Sequence, residues 1–202
     1  MRDGIAIPLF CYYFYSMTKT IPSILHLIAI LLFGISASGQ ASSKTLVLKQ
    51  IAELKQAVLN SDQAKVATFF DFPIASEELK ARVEYAGENV VTIDRLDKAA
   101  FNNYYSRIMT DDIVNLFKAL DFSALKTKNK VERKMIPDNK IETCFYTYTA
   151  EYSNNGITLT LLTNTRKDIE LDKDASCPEY FEKWNFKLSK GKLKFTQFEA
   201  AG

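Results

Sequence analysis

Apolar and polar positions recur along this chain with two different periods, and the change of period divides it. Val47, Ile51, Leu54 and Val58 fall on one helical stripe, with Lys49, Glu53 and Gln56 on other faces, which predicts an amphipathic helix. Asn60-Ser61-Asp62 breaks and recaps the chain, and Val66, Phe69 and Phe70 mark a short second helix ending at Phe72-Pro73. Short strands are expected at Arg82-Val83-Glu84-Tyr85 and Val90-Val91-Thr92-Ile93, around Gly87. Asp97 can cap a third helix carrying Phe101, Tyr104, Tyr105 and Ile108. Thr110 can cap a fourth carrying Ile113, Leu116, Phe117 and Leu120.

Beyond Lys126 the period becomes two. Strands are expected at about Val131 to Ile136, Lys140 to Ser153, Ile157 to Arg166, Glu179 to Leu188 and Lys192 to Phe198. With Asn155-Gly156 as the central pair of a hairpin turn, Tyr152 falls opposite Leu159, Ala150 opposite Leu161 and Tyr148 opposite Thr163. That face is apolar and aromatic, whereas Ser153, Thr158, Glu151 and Thr160 form a face suited to solvent. Lys190-Gly191 likewise sets Leu188 against Leu193, Phe186 against Phe195 and Trp184 against Gln197. Helices first and an antiparallel meander after them give an α+β class, with N-terminal helices packed on a curved antiparallel sheet.

The N-terminal part follows neither period. Among residues 1–37 only Arg2, Asp3, Lys19 and His26 can carry charge. From Met17 the order is that of a secretory signal: basic Lys19, an apolar run Ile21 to Ile35, then Ser36-Ala37-Ser38-Gly39. Residues 1–39 are therefore expected to be a leader cleaved between Gly39 and Gln40, with 1–16 a gene-model extension before a true start at Met17. The rival is an uncleaved anchor, the one route by which a membrane enters, because an apolar span of about 18 residues can cross a bilayer. Pro8, Pro22, Lys19 and the small-residue exit favour cleavage, and Gln40 stands where a lipid-modified cysteine would be needed. A periplasmic or secreted protein is expected, with residues 40–202 as one α+β domain.

Composition changes this picture in two ways. Removing the leader takes Arg2 and Lys19 from 26 basic residues and Asp3 from 24 acidic ones, leaving a near-neutral domain with no electrostatic reason to bind nucleic acid. It also takes His26, the sole histidine, so imidazole is unavailable as base, relay or metal ligand. Of three cysteines, Cys11 lies in the leader, and Cys144 and Cys177 remain as an even pair. The hairpin register puts Cys144 at the sheet end where the loop carrying Cys177 begins, so a structural disulfide is expected. A reactive thiol would want a C-x-x-C spacing or a basic neighbour.

The stretch Leu46 to Phe198 holds two helices ending in Phe69-Phe70-Asp71-Phe72-Pro73, then Phe101-x-x-Tyr104-Tyr105-x-x-Ile108, then an aromatic-rich meander. In this it resembles the nuclear transport factor two-like, cone-shaped α+β superfamily, especially exported bacterial members of unknown role. The resemblance covers nearly the whole domain through packing motifs. It implies a conical pocket between helices and sheet, used for small ligands and in some members for isomerase or dehydratase chemistry. Members with a His-Asp dyad find no match here.

Tyr104, Tyr105, Tyr148, Trp184 and Phe186 are expected to face the interior, where they either line a pocket or pack as core. Glu182 shares the strand face of Trp184 and is the acid to test first, although an unpaired carboxylate normally reaches solvent. Asp168, Glu170, Asp172 and Asp174 alternate before Cys177, but lack the turn glycine and distal glutamate of a helix-loop-helix calcium loop, and a solvated loop is the default. No phosphate loop, nucleophile elbow or zinc spacing occurs, and neither cofactor nor metal is expected. The expected function is non-catalytic binding of a small apolar or aromatic ligand or of a partner. The alternatives are a histidine-free isomerase or lyase using a carboxylate and a tyrosine, and an interaction module, or homodimer, using the open sheet face.

Overall fold

In a computed structural model of the chain, the described residues are 43–86, 89–136, 143–166 and 177–202. The leader, Cys11 and the acidic run Asp168 to Asp174 lie outside them. Helix α1 covers residues 43–59 and buries the expected stripe of Val47, Ile51, Leu54 and Val58. Each of these side chains contributes about 1.5–3 kcal/mol by leaving water. A left-handed Ser61 (φ 54°) ends α1, and the Asp62 side chain accepts from Lys65 N to start α2, Gln63–Ala67.

The next element departs from expectation. Arg82-Val83-Glu84-Tyr85 is helical, the last turns of α3, Glu77–Tyr85. The Ser76 side chain caps it by accepting from Leu79 N, with Glu77 and Glu78 in the first turn facing the helix dipole. The second expected strand, Val90 to Ile93, is absent; the ordered feature nearby is a single bridge, Ile74 to Leu96. Asp97 caps α4, Lys98–Asn103, as expected. The helix then breaks at Tyr104, so that Tyr105–Ile108 forms a separate turn, α5. Helix α6, Asp111–Ala119, buries Ile113, Leu116 and Phe117. A 3-10 helix, Phe122–Lys126, leads into the sheet.

Among the described residues, five antiparallel strands follow in sequence order: β1 Lys130–Met135, β2 Cys144–Ser153, β3 Gly156–Thr165, β4 Phe181–Ser189 and β5 Lys192–Ala201. Ser43–Gly202 form one compact α+β unit. The β2–β3 register differs from expectation by two residues. Tyr152 pairs with Ile157, Ala150 with Leu159 and Tyr148 with Leu161. The turn is made by Asn154 and Asn155, both left-handed (φ 47° and 58°), as a primed hairpin turn requires. Gly156 is instead the first residue of β3, where an added Cβ would sit 2.5 Å from the Phe186 carbonyl oxygen. A shift of two leaves every side chain on its expected face.

The β4–β5 hairpin pairs Leu188 with Leu193 and Phe186 with Phe195 as expected, but Trp184 faces Phe198, not Gln197. Thr196 is an extra residue between the partners of Phe186 and Asn185, and its hydroxyl donates to the Asn185 carbonyl at 3.2 Å. This bulge carries Phe198 inward and Gln197 outward. Phe195 N then donates to the Phe69 carbonyl at 2.7 Å, tying β5 to the end of α2.

The core lies between the helices and one face of the sheet. The other face bears Thr147, Thr149, Thr158, Thr160, Lys183 and Asn185, where Lys183 reaches Glu199 at 3.1 Å and Thr158 donates to Asn185 at 2.8 Å. Cys144 and Cys177 form the expected disulfide, with Cα atoms 5.1 Å apart and a sequence separation of 33. Closing a loop of that length restricts the unfolded chain. Replacing both cysteines by alanine should lower unfolding stability by about 2–4 kcal/mol, read as a lower urea midpoint at unchanged slope; an unchanged midpoint would contradict a stabilising role.

Candidate functional site

A buried ion pair joins the helical layer to the sheet. Glu182 on β4 points into the core beside Trp184, and Arg82 of α3 donates to it through Nη1. The two side chains are 15% and 7% exposed. Expected to reach solvent, Glu182 is buried because α3 brings it a cation. Arg82 Nη2 donates to Thr110 Oγ1 at 2.9 Å, and the guanidinium carbon lies 5.4 Å from the centre of the Phe198 ring. Thr110 holds the N-cap position of α6 but makes no side-chain capping bond; its hydroxyl serves Arg82. Burial pushes the guanidinium below its ordinary pKa while Tyr180 and Asp112 pull it upward, and an arginine stays charged across neutral pH.

Asp112, in the first turn of α6, accepts a hydrogen bond from the Tyr180 hydroxyl at 2.7 Å. Burial, then the hydrogen bond with Asp112, raise the Tyr180 pKa. Burial, then the charges of Asp112 and Tyr146, push Tyr148 up to about 12. These phenols stay protonated through the physiological range and remain hydrogen-bond donors. Tyr146 and Tyr148 lie on one face of β2, and their rings run parallel, 8° apart in plane with centres 6.2 Å apart.

A cavity of about 400 Å³ opens where β2 and the end of β1 meet α6. The helix lines it with Asn115, Lys118 and Ala119; the sheet contributes Tyr146 and Tyr148, with Met135 and Ile136 at its edge. Met135 and Ile136 are 42% and 46% exposed, so the apolar wall is open to solvent. The volume falls within the range of small-molecule sites, about 300–1,000 Å³.

Of the residues expected to form a site, Tyr148 alone lines this cavity. Tyr104 is half-buried on the core margin, with the Arg107 guanidinium 5.7 Å from its ring centre. Tyr105 is buried against Phe101, ring centres 5.9 Å apart. Trp184 and Phe186 belong to the packed aromatic core: Trp184 stands 4.8 Å from Phe198, and Phe186 5.9 Å from Phe195. Glu182 is the ion-paired residue described above. Sequence reasoning missed Tyr146, although it shares the parity of Tyr148 along β2. It missed Arg82 because that segment alternates like a strand, and missed Asp112 and Lys118 because nothing local marks a helix that borders a cavity. No cluster of residues able to hold a metal ion occurs among the described residues.

Comparison with protein-family models, with curated proteins and with solved structures finds no match for the chain.

Two measurements probe this region. Arg82→Met should strand the Glu182 carboxylate and cost about 3–5 kcal/mol in urea unfolding, whereas combining it with Glu182→Leu should recover most of the loss; a double variant no more stable than the single one would contradict this. Because Tyr148 ionises only near pH 12 in the fold against an ordinary 10.0, folding holds its neutral form. That contribution is complete below about pH 10 and is lost as pH rises toward 12. Alkaline unfolding should therefore begin above pH 10 and shift downward less sharply in Tyr148→Phe, as read by far-ultraviolet dichroism against pH.

Proposed function

We propose that this chain is an exported, non-catalytic binding domain whose ligand is a small apolar or aromatic molecule seated on Tyr146 and Tyr148. The observation that carries this reading is the open cavity of about 400 Å³ walled by that parallel tyrosine pair and by Met135 and Ile136. Flat apolar walls with a few polar groups at the rim suit such a ligand. A nuclear transport factor two-like architecture is part of the proposal, supported by helices that precede a sequential meander and pack on one of its faces. The Cys144–Cys177 bridge and the signal-like composition of residues 17–39 support export to an oxidising compartment.

Catalysis by a carboxylate and a tyrosine is the weaker reading because the carboxylates near the phenols are engaged. Glu182 is ion-paired to Arg82 through Oε1, with Oε2 enclosed in the core without a partner and out of reach of a ligand on Tyr146 and Tyr148, and Asp112 accepts from Tyr180. A base must be free to take a proton from a substrate. An interaction module using the outer sheet face is weaker too. That face is threonine-rich, and its apolar part is confined to Leu162 with the partly exposed Phe145 and Phe181 near one end of the sheet, a smaller patch than a partner surface usually presents.

The test is saturable binding of a neutral aromatic probe, phenylnaphthylamine, followed by its fluorescence. One molecule should bind per chain, and Ala119→Trp, which fills the cavity from α6, should weaken binding about tenfold or more at an unchanged urea midpoint. Binding that is indifferent to Ala119→Trp, or no saturable binding, overturns the proposal.

A further inference from the structure

The chemistry of the ligand can be narrowed from the cations around the cavity, an argument that rests on the binding reading above. A second cavity, of about 540 Å³, runs between the α6 end and β1. It shares Lys118, Ala119 and Met135 with the tyrosine cavity, so the two adjoin along the groove between α6 and β1. Lys118, Lys128 and Arg133 line this second part. All three are exposed, and none makes an ion pair among the described residues.

Of the two acids lining this second part, one is paired with a lysine and the other caps the 3-10 helix and keeps its charge. Glu132 lies 3.6 Å from Lys130, and Asp121 accepts from Ser123 N at 2.9 Å. The strand register joins the two halves: Arg133 stands opposite Tyr148, and Met135 opposite Tyr146. Residues directly opposite in antiparallel strands share a face, so a cation borders the aromatic wall. Three cations against one unpaired carboxylate, Asp121, leave the concavity net positive and raise the local concentration of anions, although each charge alone contributes little in solvent.

We infer that the groove takes an anionic amphiphile: an aromatic or aliphatic body on Tyr146, Tyr148 and Met135, with one acidic group between Lys118 and Arg133. The body supplies apolar contact and the acidic group fixes its direction along the groove. Lys118, which lines both parts, stands where the two halves of such a ligand meet.

The experiment compares two fluorescent probes of one ring skeleton, anilinonaphthalene sulfonate and the neutral phenylnaphthylamine. The sulfonate should bind about tenfold more tightly at low salt, and the advantage should fade toward about 1 M salt, where the Debye length is about 3 Å. Lys118→Gln combined with Arg133→Gln should abolish the advantage, read as the ratio of the two probes' affinities in the same variant. These side chains are exposed, so the urea midpoint should not move. Equal affinity of the two probes at low salt, or an advantage that survives in the double variant, overturns the inference; if the neutral probe is still displaced by Ala119→Trp, the binding reading stands. Loss of saturable binding for both probes overturns the two together.

Discussion

Phe70 is the point at which the helical layer and the sheet are held to each other. Its ring lies 5.0 Å from Phe101 on α4 and 5.0 Å from Phe195 on β5, with Phe186 of β4 at 6.4 Å. Aromatic pairs at such separations contribute beyond their buried area. The backbone reinforces the junction, because Phe69 accepts from Phe195 N and Lys194 reaches the Phe70 carbonyl at 3.3 Å. With β5 anchored there, β4 and its inward side chains take fixed positions, and Glu182 is presented to α3. The ion pair, the phenols around Asp112 and the groove beyond them all follow from that placement.

Faces were easier to read from the sequence than registers. Alternation from Ala150 to Leu161 assigns the buried side of β2 and β3 whichever two asparagine or glycine residues make the turn, since a slip of two preserves parity. The turn itself was misassigned because Asn155-Gly156 is the stronger local signal, while the deciding contact, between Gly156 and the Phe186 backbone, comes from a strand thirty residues further along the sequence. The bulge had a local sign that alternation alone overlooks. Leu193 and Phe195 are two apart and Phe198 three further on, so one residue must be surplus if all face inward.

The candidate site was less legible because its parts meet only in three dimensions. Arg82 and Glu182 are 100 residues apart, and their pairing depends on reading residues 77–85 as a helix. The alternation of Val83 and Tyr85 hides it; Ser76 followed by Glu77 and Glu78 is the clue that would have revealed it. A buried salt bridge gains little stability over a well-packed apolar pair. Its contribution here is geometric, in that it joins α3 to β4 and brings the Thr110 hydroxyl to Arg82 and not to its own helix.

Gly156 sets different rules for neighbouring positions of one hairpin. The left-handed turn at Asn154 and Asn155 accepts aspartate or glycine with little strain, so the tip can change its charge and shape. One residue further on, any side chain would collide with the backbone of β4, and no repacking of side chains relieves a clash with a carbonyl in a paired strand. The hairpin is thus a place where an inserted epitope or altered loop would be tolerated on one side of a sharp limit, with a single glycine marking where editing of the surface must stop.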